Sequence, residues 1–132
     1  MIGLVIATHS RLAEELLTAA EMIIGPSEAA RTVSITPEDG LDRIQEMIGT
    51  AVAEVGVDGD GVVIMTDMFG GTPSNVSLSF LDPDRVEVVT GVNLPMVIKF
   101  FHSHEHLSLR ELSELLKSYG QQAINIASDF LR

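Results

Sequence analysis

The stretch Met1-Ile2-Gly3-Leu4-Val5-Ile6-Ala7-Thr8-His9 decides the architecture. It is a short, continuous apolar run rich in β-branched residues. That is the pattern of a strand covered on both faces, which belongs in a parallel sheet. From about Ser10 the period changes: Leu12, Leu16, Ala19, Ala20 and Ile23 recur at helical spacing up to the breaker pair Gly25-Pro26. A buried strand running directly into an amphipathic helix is the first half of a βαβ unit.

The same alternation continues outward. Residues 32–35, 61–66 and 86–90 read as further strands, giving four with residues 2–8. Leu41, Ile44, Ile48, Ala51 and Val55 mark a second helix that ends at Gly56. Pro73 suits a first helical turn, with Thr72 as its cap and Val76 and Phe80 on one face. Pro95 opens another helix, through about Phe101. Ser108-Leu109-Arg110-Glu111 is a capping box, stapled by Leu107 and Leu112, and begins a helix with a Leu109, Leu112, Leu115, Leu116, Tyr119 stripe stopping at Gly120. Ala123-Ile124-Asn125-Ile126-Ala127 alternates weakly and reads as a fifth strand. The expectation is one three-layer, doubly wound α/β domain spanning residues 1–132, its sheet mainly parallel, with helices on both faces.

Composition narrows the function classes. Hydrophobic residues make up 45% of the 132, enough for a real core. No apolar run reaches the roughly 18–20 residues that cross a bilayer. The first eight residues lack a basic region and a cleavage site, so they read as a strand and not a leader. The absence of cysteine excludes thiolate chemistry and a disulfide scaffold, and fits a cytoplasmic home. A net charge of −11 repels phosphate backbones and anionic membranes, which argues against nucleic acid and for a partner with a basic contact patch.

Two junctions carry candidate chemistry. His9 ends the first strand, and Thr66-Asp67-Met68-Phe69-Gly70-Gly71-Thr72-Pro73-Ser74-Asn75 runs from the third strand into a helix. In a parallel sheet both lie at the carboxyl edge, where ligands and reacting groups collect. If the first and third strands are neighbours, Asp67 meets His9; a carboxylate on one imidazole nitrogen fixes the tautomer and leaves the other nitrogen as nucleophile. Gly70 and Gly71 let main chain approach a bound group, and the amides of Ser74 and Asn75 at the following helix start favour an anion. Each signal alone also has a structural reading: a solvated histidine, a turn-capping aspartate, a tight glycine turn, an ordinary Thr-Pro helix start. Their convergence on one edge points to a phosphohistidine site.

These residues, followed by Thr90-Gly91-Val92-Asn93-Leu94-Pro95-Met96, give a pattern that resembles the mannose-family IIA component of the bacterial sugar phosphotransferase system, in order and spacing over nearly the whole chain. The resemblance implies a cytoplasmic phosphoryl carrier that accepts phosphate from the phosphohistidine protein HPr and passes it to a separate IIB protein, meeting the membrane only through IIC and IID components. It implies His9 as phosphoryl acceptor, Asp67 as its orienting carboxylate, and Gly71, Thr72 and Ser74 around the phosphate, with neither metal nor cofactor. It also implies a homodimer, with residues 122–128 as an antiparallel strand associated with the partner subunit. Two relatives of this role stay open: a phosphotransfer subunit serving dihydroxyacetone kinase, and a regulatory module phosphorylated on His9 but not coupled to transport.

Other signals are discounted. His102-Ser103-His104-Glu105-His106 reads as a solvated loop rather than a metal site. Phe100 and Phe101 read as core or interface, and Met65, Met68 and Met96 as gap fillers. Thr36-Pro37-Glu38-Asp39-Gly40 reads as a loop and helix start at the same edge. A receiver domain needs an acidic pair where this chain has Thr8-His9-Ser10; neither a G-x-G-x-x-G nor a G-x-S-x-G motif is present.

Overall fold

The computed structural model describes residues 1–131. Strands β1 (Gly3–His9), β2 (Ala30–Ile35), β3 (Val62–Thr66) and β4 (Val86–Thr90) form one sheet in the order β2-β1-β3-β4, and every pairing is parallel. Helices α1 (Leu12–Ile24), α2 (Leu41–Val55), α3 (Thr72–Leu78), α4 (Leu94–Ser103) and α5 (Leu109–Gln122) cover it, and a short 3-10 turn follows at Ala127–Leu131. The four strands and the flanking helices agree with the sequence reading.

Alternation along β1 divides the core. Ile2, Leu4 and Ile6 point to one face and pack with Ala13 and Ala20 of α1, Met96, Val97 and Phe100 of α4, and Leu112 and Leu116 of α5. Val5 and Ala7 point to the other, against Ile44, Ile48, Ala51 and Val55 of α2, with Val76 and Phe80 alongside. Burying each such side chain fully is worth about 1.5–3 kcal/mol, so both faces contribute to one cooperative core. The chain leaves β1 through α1 on one face and returns to β3 through α2 on the other. The connections therefore diverge at the carboxyl ends of β1 and β3, and a crevice opens there.

Several local expectations change. Along α1, Ala13, Leu16, Leu17 and Ala20 face the core, while Leu12 and Ile23 are exposed. The cause is local: the buried Thr8 hydroxyl accepts the Ala13 amide (2.7 Å), fixing which side of the helix turns inward. Thr72 is not the cap of α3; Gly71 holds that place, and Thr72 is the first helical residue. Helix α4 is capped by Asn93, whose side chain accepts the Met96 amide (3.0 Å), and it continues to Ser103. The Ser108–Glu111 capping box forms as expected.

Gly120 does not stop α5. A Cβ there would lie 2.7 Å from Met96 Cε, so its missing side chain lets the last turn of α5 sit close on α4, and Asn93 donates to its carbonyl (3.0 Å). Tyr119 correspondingly faces outward, its ring 4.9 Å from Lys99 Nζ. The extension of α5 takes up residue 122, and Ala123 closes the helix. Among the described residues there is no fifth strand over 122–128. With Ile124 and Ile126 mostly exposed, that segment has no neighbouring strand of its own chain to supply ladder hydrogen bonds.

Candidate functional site

The β1–β3 pairing, with Ala7 opposite Thr66, brings the two strand ends side by side and places Asp67 against His9. Asp67 Oδ2 accepts both the His9 main-chain amide (3.0 Å) and the His9 Nδ1–H (2.7 Å). Asp67 Oδ1 accepts the Met68 amide (3.0 Å). The carboxylate is thus clamped by three donors. Partial burial pushes its pKa upward, but the His9 ring and main-chain bonds outweigh that effect and hold the carboxyl below its ordinary range. It is ionised at neutral pH.

An ionised carboxylate can only accept, so Nδ1 must carry the ring proton. In the neutral ring this leaves a lone pair on Nε2. The ring is half exposed (51%), whereas Asp67 is sheltered (14%). Nε2 is therefore open to a macromolecule while Asp67 is screened from competing donors.

Gly71 closes the near wall. A Cβ at this position would meet His9 Cε1 at 2.9 Å and lie 3.6 Å from Nε2, so only glycine lets the main chain pass that close to the ring. Gly70 beside it holds φ +88°, a conformation side chains resist. On the other side Ser10, with φ +54°, turns the chain sharply from β1 toward α1 and donates its amide to Ile35 (2.7 Å). A non-glycine residue in this region is uncommon and costs of order 1–3 kcal/mol, which marks the turn as a strained support of His9.

His9, Ser10 and Thr72 line a cleft of about 390 Å³ with Ile35, Thr36, Pro37, Asp39 and Ile44. The 36–40 loop expected at this edge is indeed there. Asp39 caps it, accepting the Thr36 amide (2.9 Å) and an Arg43 contact (3.2 Å). The Thr36 amide, with the Thr36 hydroxyl and then Arg43, outweighs desolvation and holds the Asp39 carboxyl below its usual range.

The remaining expected groups divide. Thr72 lies in the cleft beside His9. Ser74 sits in the first turn of α3, but its hydroxyl is fully buried, bonded to Thr66 Oγ1 (2.5 Å) and to the Met68 carbonyl. The Asn75 amide is not free for a ligand, because it already donates to the Gly71 carbonyl (2.9 Å). Met65 and Met96 fill the core as expected, while Met68 is exposed beside the site.

The histidine-rich segment diverges. His102, in the last turn of α4, is exposed, whereas His104 turns inward, its Nδ1 3.1 Å from the Ile2 carbonyl and its ring 4.9 Å from that of Phe100. Ser10 and the Thr66–Ser74 pair were missed by sequence reasoning. Strain at a serine leaves no compositional trace, and a threonine ending a strand is ordinary.

Comparison with known proteins identifies the family. A family profile described as "PTS system fructose IIA component" matches residues 3–117. The chain is 31% identical to the fructose-specific EIIA component of Bacillus subtilis, over 99% of the chain and 90% of that protein. It is 30% identical to the mannose-specific EIIAB component of Escherichia coli, covering 93% of the chain but only 38% of that longer protein. The mannose/sorbose-specific IIA subunit from Enterococcus faecalis superposes with a TM-score of 0.81 at 33% identity, over 95% of this chain and 93% of that one. A histidine–aspartate pair at the switch point of this sheet, in a chain so matched throughout, belongs to the mannose/fructose/sorbose family of EIIA components, the phosphoryl carriers of the phosphotransferase system.

Proposed function

We propose that His9 Nε2 is the nitrogen that carries the phosphoryl group, taken from phospho-HPr and delivered to a IIB component. The observation that carries this reading is the 2.7 Å bond from His9 Nδ1 to a sheltered, ionised Asp67. The Nε2 lone pair attacks phosphorus, and the donor's P–N bond breaks with its electron pair returning to the donor ring. His9 then bears the ring's positive charge next to Asp67, as an imidazolium does beside the acid of a catalytic triad. Gly71 and Thr72 border the space the phosphoryl oxygens occupy. Phosphoryl transfer depends chiefly on positioning and electrostatics, so this small set of groups is sufficient.

The surroundings fit protein partners rather than a small substrate. Leu12, Leu41, Met68 and Phe69 are exposed around the same sheet edge, with Glu14, Glu15, Glu38 and Asp42 among them. Apolar contacts ringed by acids favour a partner carrying a basic rim, and the net charge of −11 steers it inward. No helix among the described residues is long and apolar enough to cross a membrane. Together with the absence of cysteine, this supports a cytoplasmic carrier that reaches the membrane through its partners.

A homodimer completes the reading. Strand β4 is a sheet edge, and a groove of about 470 Å³ runs along it against α5 as far as Ile124. Ile124, Ile126 and Phe130 are each at least 69% exposed. These exposed apolar side chains, beside the free edge of β4, would pack against a second copy. Sedimentation equilibrium then gives twice the 14.2 kDa chain mass, and a monomer would remove the proposal.

The function itself is tested by incubation with phosphoenolpyruvate, enzyme I and HPr, then mapping of the label. Acid-labile, base-stable phosphate on His9, absent from His9→Ala, is expected. Label retained in that variant would move the acceptor elsewhere.

A further inference from the structure

We infer that Thr66 and Ser74 form a buried hydroxyl clasp that positions Asp67, and through it His9, for phosphoryl transfer. Thr66 is the last residue of β3 and Ser74 lies in the first turn of α3; both are fully buried. Their oxygens are 2.5 Å apart, and Ser74 also contacts the Met68 carbonyl. The direction of the chain is forced. A carbonyl can only accept, so the single Ser74 proton goes to Met68, and Ser74 Oγ must accept the proton of Thr66.

This relay brackets Asp67. Thr66 precedes it, Met68 follows it, and Met68 is held at both ends: its amide donates to Asp67 Oδ1 while its carbonyl receives Ser74. The loop from Asp67 to Gly71 is thereby closed on itself beneath the His9 ring. That loop supplies both the carboxylate on Nδ1 and the glycine wall beside Nε2. Phe69 at its tip is 74% exposed, so packing does little to hold the tip. Buried polar atoms in low dielectric make strong, directional bonds, and here they do what side-chain packing does not.

Neither hydroxyl faces the reacting nitrogen. Thr66 and Ser74 are therefore positioning residues, distinct in role from the groups bordering the phosphoryl space. The inference rests on the His9–Asp67 reading above, and its test separates the two. Thr66→Val keeps the volume and removes the donor; Thr66→Ser removes a methyl and keeps the donor; Ser74→Ala removes the middle of the relay. Single-turnover transfer from phospho-HPr is measured together with thermal stability and the ¹⁵N chemical shifts of the His9 ring.

Thr66→Val and Ser74→Ala are expected to slow the transfer step roughly tenfold, a fraction of the loss that a full ångström of misplacement brings. The phospho-HPr concentration for half-maximal rate should stay close to that of the unaltered protein, and Thr66→Ser should keep the rate. In the two slow variants the ring should shift away from its Nδ1–H form. Normal rates and ring shifts in folded Thr66→Val and Ser74→Ala would overturn the inference. So would equal slowing in Thr66→Val and Thr66→Ser in step with lost stability, which would indicate packing alone. Should Ser74→Ala not fold, the Thr66 pair decides. If the unaltered protein takes no phosphate, the carrier reading fails, while the ring shifts still report on the clasp.

Discussion

Replacing Asp67 by Asn leaves the shape of the site nearly intact and reverses its hydrogen-bond logic. Asp67 presents two acceptor oxygens to three donors: His9 N and Nδ1 on Oδ2, Met68 N on Oδ1. An amide has one acceptor. If its oxygen faces His9, its NH₂ confronts the Met68 amide. If its oxygen faces Met68, its NH₂ confronts Nδ1, which must then accept, and the proton moves to Nε2. The nucleophilic lone pair disappears. A hydrogen bond to a charged group is worth about 1.5–3 kcal/mol. All of that is withdrawn when the ring becomes cationic, so the barrier to phosphorylation rises by a similar amount, corresponding to roughly tenfold to a hundredfold in rate. Solvent around the half-exposed ring screens part of the charge effect and favours the lower part of that range. Rapid-quench measurement of phosphoryl transfer from phospho-HPr provides the rate, and ring ¹⁵N shifts provide the tautomer. An Asp67→Asn protein that transfers within about twofold of the original rate while retaining its fold would refute the reasoning.

Two further outcomes follow from the same geometry. Gly71→Ala places a methyl 2.9 Å from His9 Cε1, so the ring or the loop must shift; transfer should fall by about tenfold or more with a melting temperature changed by only a few degrees, and an unaltered rate would show that the wall is not close in solution. For acid, the sign is set by the depressed folded pKa of Asp67: its contribution is complete above the unfolded value of 3.8 and disappears as pH falls through the lower folded value. The stability gap between the original protein and Asp67→Asn should therefore narrow below about pH 4 in melting curves; a gap that does not narrow as the pH falls through the folded midpoint would contradict it.

What could be read from the sequence was whatever depends on period and order. Continuous apolar strands and the Ser108–Glu111 box announce themselves in adjacent residues, and two strand-to-helix junctions imply a shared edge once the sheet is parallel. The distance between His9 and Asp67 was an inference from topology that β1–β3 pairing then supplied. Other features depend on contacts between distant residues. Gly120 reads as a stop until Met96 of another helix is found against it. Leu12 and Ile23 fit a helical stripe, but the Thr8 hydroxyl turned that stripe aside. The alternation at residues 123–127 satisfies the period of a strand, yet a strand exists only with a neighbour, and period says nothing about neighbours. Ser74 was placed at the right loop; that its hydroxyl points away from the cleft follows from Thr66, eight residues earlier, and from no local rule.

The His9 ring has one open side, for Asp67 occupies one edge and Gly71 stands against another. A platform with a single approach cannot host a giver and a taker together. With His9 in its proposed role, traffic through it is strictly alternating, so the spent giver must depart before the taker arrives, and the loaded imidazole must survive the interval unattended in water. The throughput of such a carrier is governed as much by how weakly its visitors are held as by how fast the bond itself is exchanged.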